Sequence, residues 1–146
     1  MIVIDDFIKD EPLLKAIDED KSFIGENGDY MWWNGWWRSH ANTLKKQLIE
    51  CLPNNFENSL IAYEPIWSIG TGRIPNYYEI NEMHENIKNF IHETMNKNIK
   101  VLYGGSVNLD NIHNILDIPN VDGVLVGGAS LKAKDFLAIY SAAVKH

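Results

Sequence analysis

From residue 59 onward the chain repeats one unit three times: a short apolar strand, a glycine-bearing turn, then an amphipathic helix. Leu60-Ile61-Ala62 runs through Tyr63 to Glu64, and a loop carrying Gly70 and Gly72 follows. Lys100–Tyr103 runs into Gly104-Gly105-Ser106, and residues 124–126 run into Gly127-Gly128-Ala129-Ser130. Helices are predicted between and after these strands. One lies near Tyr77–Met95, with Ile80, Met83, Ile87, Phe90 and Ile91 at helical spacing, and Asn76 with Glu79 reads as its capping box. A short one covers 109–116, with Ile112, Ile115 and Leu116. A last one covers Ala133–Val144, with Phe136, Leu137, Ile139 and Tyr140. Short, apolar strands alternating with helices predict an α/β fold with a parallel sheet covered by helices. Such a topology collects the turns after the strands on one rim, and the glycines with them.

That rim is where chemistry is expected. Glu64 ends its strand, and in βα architectures functional side chains sit at strand C-termini. Pro65 stops the strand by removing a ladder donor. Gly70 and Gly72 allow a close backbone approach to a ligand that other residues would block. Gly104-Gly105-Ser106 is not the Gly-x-Ser-x-Gly pattern of a nucleophile elbow, so a phosphate contact or a plain strand-end turn is the better reading. The glycine pairs do not complete a dinucleotide fingerprint either. His84 and His92 are eight apart, not the four that one helix face needs for a ligand pair, so these two and His113 are read as surface histidines, with no metal.

Composition narrows the partners. A net charge of −7 argues against nucleic acid, which needs a basic footprint. The acidity is uneven: 11 acidic residues face 6 basic ones in 1–58, but 9 face 7 in 59–146, so the second part is the better host for an anion. Cys51 is the single cysteine, which excludes an intrachain disulfide and a cysteine metal cluster. No long apolar run predicts a membrane span and no basic start predicts a signal peptide, so a cytoplasmic location is expected.

The first part follows a different pattern. Ile2-Val3-Ile4 reads as a strand, and a helix follows from Asp10. Tyr30-Met31-Trp32-Trp33-Asn34-Gly35-Trp36-Trp37 reads as a hairpin, because Asn-Gly suits a two-residue turn. Its four tryptophans, of five in the chain, are expected to pack a small core, since large aromatics dominate such cores. A helix over 42–52 follows, with Leu44, Leu48, Ile49 and Leu52 as its apolar positions.

The three rim motifs, in order, resemble the C-terminal portion of triosephosphate isomerase. They are Ala62-Tyr63-Glu64-Pro65-Ile66-Trp67-Ser68-Ile69-Gly70-Thr71-Gly72, Tyr103-Gly104-Gly105-Ser106-Val107 and the run from Val121 to Leu131. The resemblance covers about residues 46–146 and implies the last three βα units of a TIM barrel, with a small α+β segment, 1–45, in front. It implies that Glu64 is the base moving a proton between adjacent carbons of a triose phosphate, and that 65–72 form a lid. Gly70, Ser106, Gly127 and Gly128 would then contact the substrate phosphate, with no cofactor. Backbone N–H groups at glycine turns suit that task without a lysine.

The departures matter as much. The first-strand lysine and fourth-strand histidine of the family have no counterpart in residues 1–45; Lys9 lacks the expected neighbours, and His40 follows a tryptophan-rich loop, not a buried strand. Residues 1–45 weakly resemble instead the start of 2-oxoglutarate/Fe(II)-type oxygenases, although no His-x-Asp occurs in the chain. A fusion near 43–50 is therefore expected. Three parallel strands leave two open edges, to be covered by the N-terminal segment or by self-association. The readings that remain are a triose-phosphate isomerising enzyme, a catalytically silent phosphate-binding or interaction module, and a non-functional chimera.

Overall fold

The computed structural model describes residues 2–5, 44–52, 56, 59–65 and 75–144. The expected helix from Asp10, the tryptophan hairpin, Lys9, His40 and the lid segment 66–72, with Gly70, lie outside them.

The sheet holds β1 (Ile2–Asp5), β2 (Leu60–Glu64) and β3 (Lys100–Tyr103), all parallel, in that spatial order. The register places Asp5 opposite Glu64, and Tyr63 opposite Tyr103. One edge of β2 is thus occupied by a strand from the N-terminal segment. Beyond β3, residues 123–125 add a fourth strand position. Tyr103 donates its N–H to the Gly123 carbonyl at 2.9 Å, and Leu125 donates to the Tyr103 carbonyl at 2.8 Å. The strand expected over 124–126 is therefore reduced to a single parallel bridge between Tyr103 and Val124. A ladder grows from neighbours on both sides, and among the described residues this segment has one.

Helices cover one face. α1 spans residues 44–51, α2 Tyr77–Met95, α3 Ile112–Leu116 and α4 Ala133–Val144, with a 3-10 turn, Gly128–Leu131, before α4. α2 begins where its sequence says it should. The Asn76 side chain accepts from the Glu79 N–H at 3.0 Å, and the Asn76 N–H donates to the Glu79 carboxylate at 2.7 Å. It ends at Asn96, which takes the left-handed conformation (φ 52°) and returns its N–H to the His92 carbonyl. Burial keeps the Glu79 carboxyl above the usual range, against the opposing pull of the Asn76 N–H.

Alternation along a strand sets which side chain meets which layer. Ile61, Tyr63 and Val101 turn toward the helices and pack with Leu44 and Leu48 of α1 and Met83, Ile87 and Ile91 of α2. Tyr103 joins a second cluster with Ile80, Val107, Ile112, Ile115 and Ile139. The periodic residues of α2 are inward as expected, except that Phe90 is only partly buried. Two expectations fail on packing. Ile49 of α1 is exposed, and on α4 only Ile139 of its four apolar positions is buried. A periodic pattern marks a face that can be covered, not the element that covers it.

Asp122 couples the layers. One of its carboxylate oxygens accepts the Val101 N–H at 2.7 Å and the Lys88 ammonium at 2.8 Å, tying β3 to α2.

Candidate functional site at the strand C-termini

Glu64 is the last residue of β2, and the alternation that turns Tyr63 toward the helices turns Glu64 to the opposite face. The next strand end is fastened to it: Gly104 donates its N–H to the Tyr63 carbonyl at 2.8 Å. Gly104 is glycine for a steric reason. A Cβ there would lie 2.6 Å from Cγ of Glu64 and 3.1 Å from the Tyr63 carbonyl oxygen. The carboxylate arm of Glu64 therefore crosses the space that any side chain at 104 would fill. Gly105 has an equally local reason, since a Cβ would strike the hydroxyl end of the Tyr103 ring.

Ser106 is held by the loop that follows it. Its carbonyl accepts from the Asn111 side-chain amide at 2.9 Å. The Asn108 side chain accepts from the N–H groups of Asp110 and Asn111, and the Asn111 side chain accepts from the Asn108 N–H. Asn side chains that cap nearby backbone donors fix a turn in this way. On the third strand position, Ser130 returns both its N–H and its hydroxyl to the Gly127 carbonyl, at 2.9 and 2.7 Å.

These pieces enclose one depression of about 440 Å³, lined by Glu64, Gly104, Gly105, Ser106, Val107, Gly127, Gly128 and Ala129. Four of the five residues singled out from the sequence meet there; Gly70 lies outside the described residues. Among the described residues a Cβ at Gly127 or Gly128 would meet no atom within 4 Å, so packing against them does not explain glycine at either place. Glycine there leaves the backbone open to close approach. Among the described residues no group of three metal-ligating side chains occurs.

Directly behind this rim the sequence reading needs correction. His84 is not on the surface; it is fully buried, and of these three histidines His92 and His113 are exposed. Its ring meets Tyr63 edge-on, with centroids 6.0 Å apart, and lies tilted against Tyr103 at 6.4 Å. Those are the residues immediately before Glu64 and Gly104. Burial drives the imidazole pKa down to about 4, against a smaller pull from the backbone at Asn120, so the ring is neutral near pH 7. Neither ring nitrogen completes a hydrogen bond of good geometry among the described residues. The signal was present in the sequence: His84 stands four residues after Ile80 and three before Ile87, on the buried stripe of α2.

Parallel strands whose C-terminal ends gather a carboxylate and glycine turns on one rim define a βα-barrel type of protein. Comparison with known proteins makes this specific. The sequence profile of triosephosphate isomerase matches residues 37–143. The triosephosphate isomerase of Amoebophilus asiaticus is 43% identical over 108 residues, covering 68% of this chain and 43% of that protein. The Rhizobium meliloti triosephosphate isomerase is 46% identical over 104 residues, covering 68% and 41%. The crystal structure of triosephosphate isomerase from Bartonella henselae superposes with a TM-score of 0.69 at 28% identity, over 98% of this chain and 50% of that one. The chain belongs to the triosephosphate isomerase family. It spans less than half the length of the curated relatives that it matches.

Proposed function

We propose that the rim depression binds a triose phosphate and that Glu64 moves a proton between its adjacent carbons, interconverting glyceraldehyde 3-phosphate and dihydroxyacetone phosphate. The observation that carries this reading is the convergence of Glu64, Ser106, Gly127 and Gly128 on one depression. A base at one wall and glycine backbone at the other suit a substrate with an acidic C–H at one end and a phosphate at the other. Gly70 enters by resemblance alone, as a further N–H for the phosphate. The reaction takes place without a cofactor, and a cytoplasmic location belongs to the same reading.

Glu64 can accept a proton, but removal of a proton beside a carbonyl also needs a group that stabilises the developing oxyanion. That stabilisation is often the largest single contribution to such a rate. The resemblance assigns it to a lysine and a histidine on other strands, with no counterpart found in residues 1–45. We therefore expect phosphate-ester binding to be stronger evidence of function than turnover. The second reading, a silent phosphate-binding module, draws on the same open glycine backbone at 127 and 128.

The test separates them on the 146-residue chain. Glycerol 3-phosphate, which carries the phosphate but no enolisable carbonyl, should bind saturably. Exchange of solvent deuterium into dihydroxyacetone phosphate should be detectable and should vanish in Glu64→Gln, which keeps the binding. Binding without exchange in either protein would establish the silent module. Absence of both would leave the depression without this function.

A further inference from the structure

The described strand positions number four: β1, β2, β3 and the bridge segment at Val124, all parallel. The chain superposes over 98% of its length on half of a solved barrel, and a barrel of this family closes with eight strands. Four is half of eight, and the two edges of the set are of complementary kinds. On one edge, the pairing of Tyr103 with Gly123 and Leu125 leaves the N–H and C=O of Val124 turned away from β3. Neither of these groups enters a backbone hydrogen bond among the described residues. On the other edge, β1 has β2 on one side and no described strand on the other.

The flank beside the Val124 edge is also uncovered among the described residues. α4 exposes Phe136 (44%), Leu137 (61%), Tyr140 (59%) and Val144 (64%). At 100° per residue these four fall in one stripe, next to the buried Ile139 and Ala142. An apolar stripe of that kind beside an unpaired strand edge marks an interface rather than a solvated face.

We propose that two copies of this chain associate about a two-fold axis parallel to their strands, closing an eight-stranded barrel. A two-fold along the strand direction keeps every strand parallel. It sets β1 of each copy against the Val124 edge of the other, so that one joint is made twice and neither described edge stays open. The α4 stripe then packs against the second copy. Both rim depressions open on the same end of the closed barrel, each bordered at Gly127 and Gly128 by the second copy's Ile2–Asp5 strand. The proposal stands on the fold and does not rest on the proton-transfer reading.

The experiment is sedimentation equilibrium of the 146-residue chain with two variants. The unaltered chain should sediment at twice its 16.7 kDa mass. Leu137→Glu places a charge on the α4 stripe at an exposed position, so the fold should be kept, by circular dichroism, while dissociation into monomers rises at least tenfold. Val124→Pro removes the outward N–H and none of the groups that bond β3, and should weaken association similarly. A monomer at every concentration overturns the proposal. So does a dimer insensitive to Val124→Pro, which would be held through helices alone. Open-ended polymers, or association only with a polypeptide carrying the preceding strands of a barrel, overturn it as well. Glycerol 3-phosphate binding, measured separately, keeps a failure here distinct from a failure of the proposed function.

Discussion

A methyl group on Gly104 would lie 2.6 Å from Cγ of Glu64, whereas one on Gly128 would meet nothing within 4 Å among the described residues. The two positions share a rim but answer to different constraints, and alanine substitutions should separate them. At Gly104 the new methyl presses on the middle of the Glu64 side chain and on the Tyr63 carbonyl, neither of which swings away freely. Gly104→Ala should therefore lower stability by about 1–3 kcal/mol, the usual cost of overpacking. It should also displace the Glu64 carboxylate. At Gly128 the fold should be indifferent, within about 0.5 kcal/mol. Ligand approach should suffer there: glycerol 3-phosphate affinity is expected to fall about tenfold, the equivalent of one hydrogen bond's net worth. Thermal denaturation and calorimetric titration of both variants check this. A Gly128→Ala protein that binds normally would remove the reason offered for glycine at that place.

Elements declare themselves in sequence to the extent that their determinants are local. α2 was legible to the residue because its start is set by Asn76 and Glu79, three apart, and its inward face by a repeat within the helix. Asn76→Ala should cost about 1 kcal/mol, and Glu79→Gln, which can still accept from the Asn76 N–H, much less; urea titrations of both would show it, and equal losses would mean that the box is not what holds this end. The strand at 124–126 was only half legible, since a ladder depends on neighbours that sequence does not reveal. Phe136, Leu137 and Tyr140 were expected inward and stand exposed, because a count of apolar spacing carries no information on what lies opposite. The site divides the same way. Each of Glu64, Ser106, Gly127 and Gly128 ends or follows an apolar strand, so their meeting at one rim could be read from order alone. The reason for glycine at 104, and the place of His84 behind two tyrosines, needed neighbours from other strands. Polarity made His84 look superficial, while its spacing from Ile80 and Ile87 said otherwise.

Across the whole molecule, buried ionisable groups make folding depend on pH, and His84 is the strongest such coupling among the described residues. Its folded-state pKa of about 4 lies below the ordinary 6.5. As pH falls below 6.5 the unfolded chain takes up this proton first, and the folded chain follows only near pH 4. Stability is thus full above about pH 6.5, declines through the window down to about 4, and levels off beneath it. The loss from this one group is on the order of 3 kcal/mol, a large fraction of a typical domain's stability. Lys88 and Asp122 act on the ring in opposite senses, the first disfavouring and the second favouring its charged form. Glu79 and Glu82, both raised chiefly by burial, lose stability as pH rises and so oppose His84 in the carboxylate range. The slope of interest is therefore the difference between the unaltered chain and His84→Leu, a replacement of similar bulk without ring nitrogens to leave unsatisfied. Urea unfolding at pH 7, 5.5 and 4.5 should find the variant as stable as the parent or more so at pH 7. The gap should then widen in the variant's favour as pH falls, because the parent alone loses the histidine contribution. Parallel stability profiles over that range would mean that the imidazole takes up its proton as readily in the folded chain as in the unfolded one, and that the ring is not sealed between Tyr63 and Tyr103.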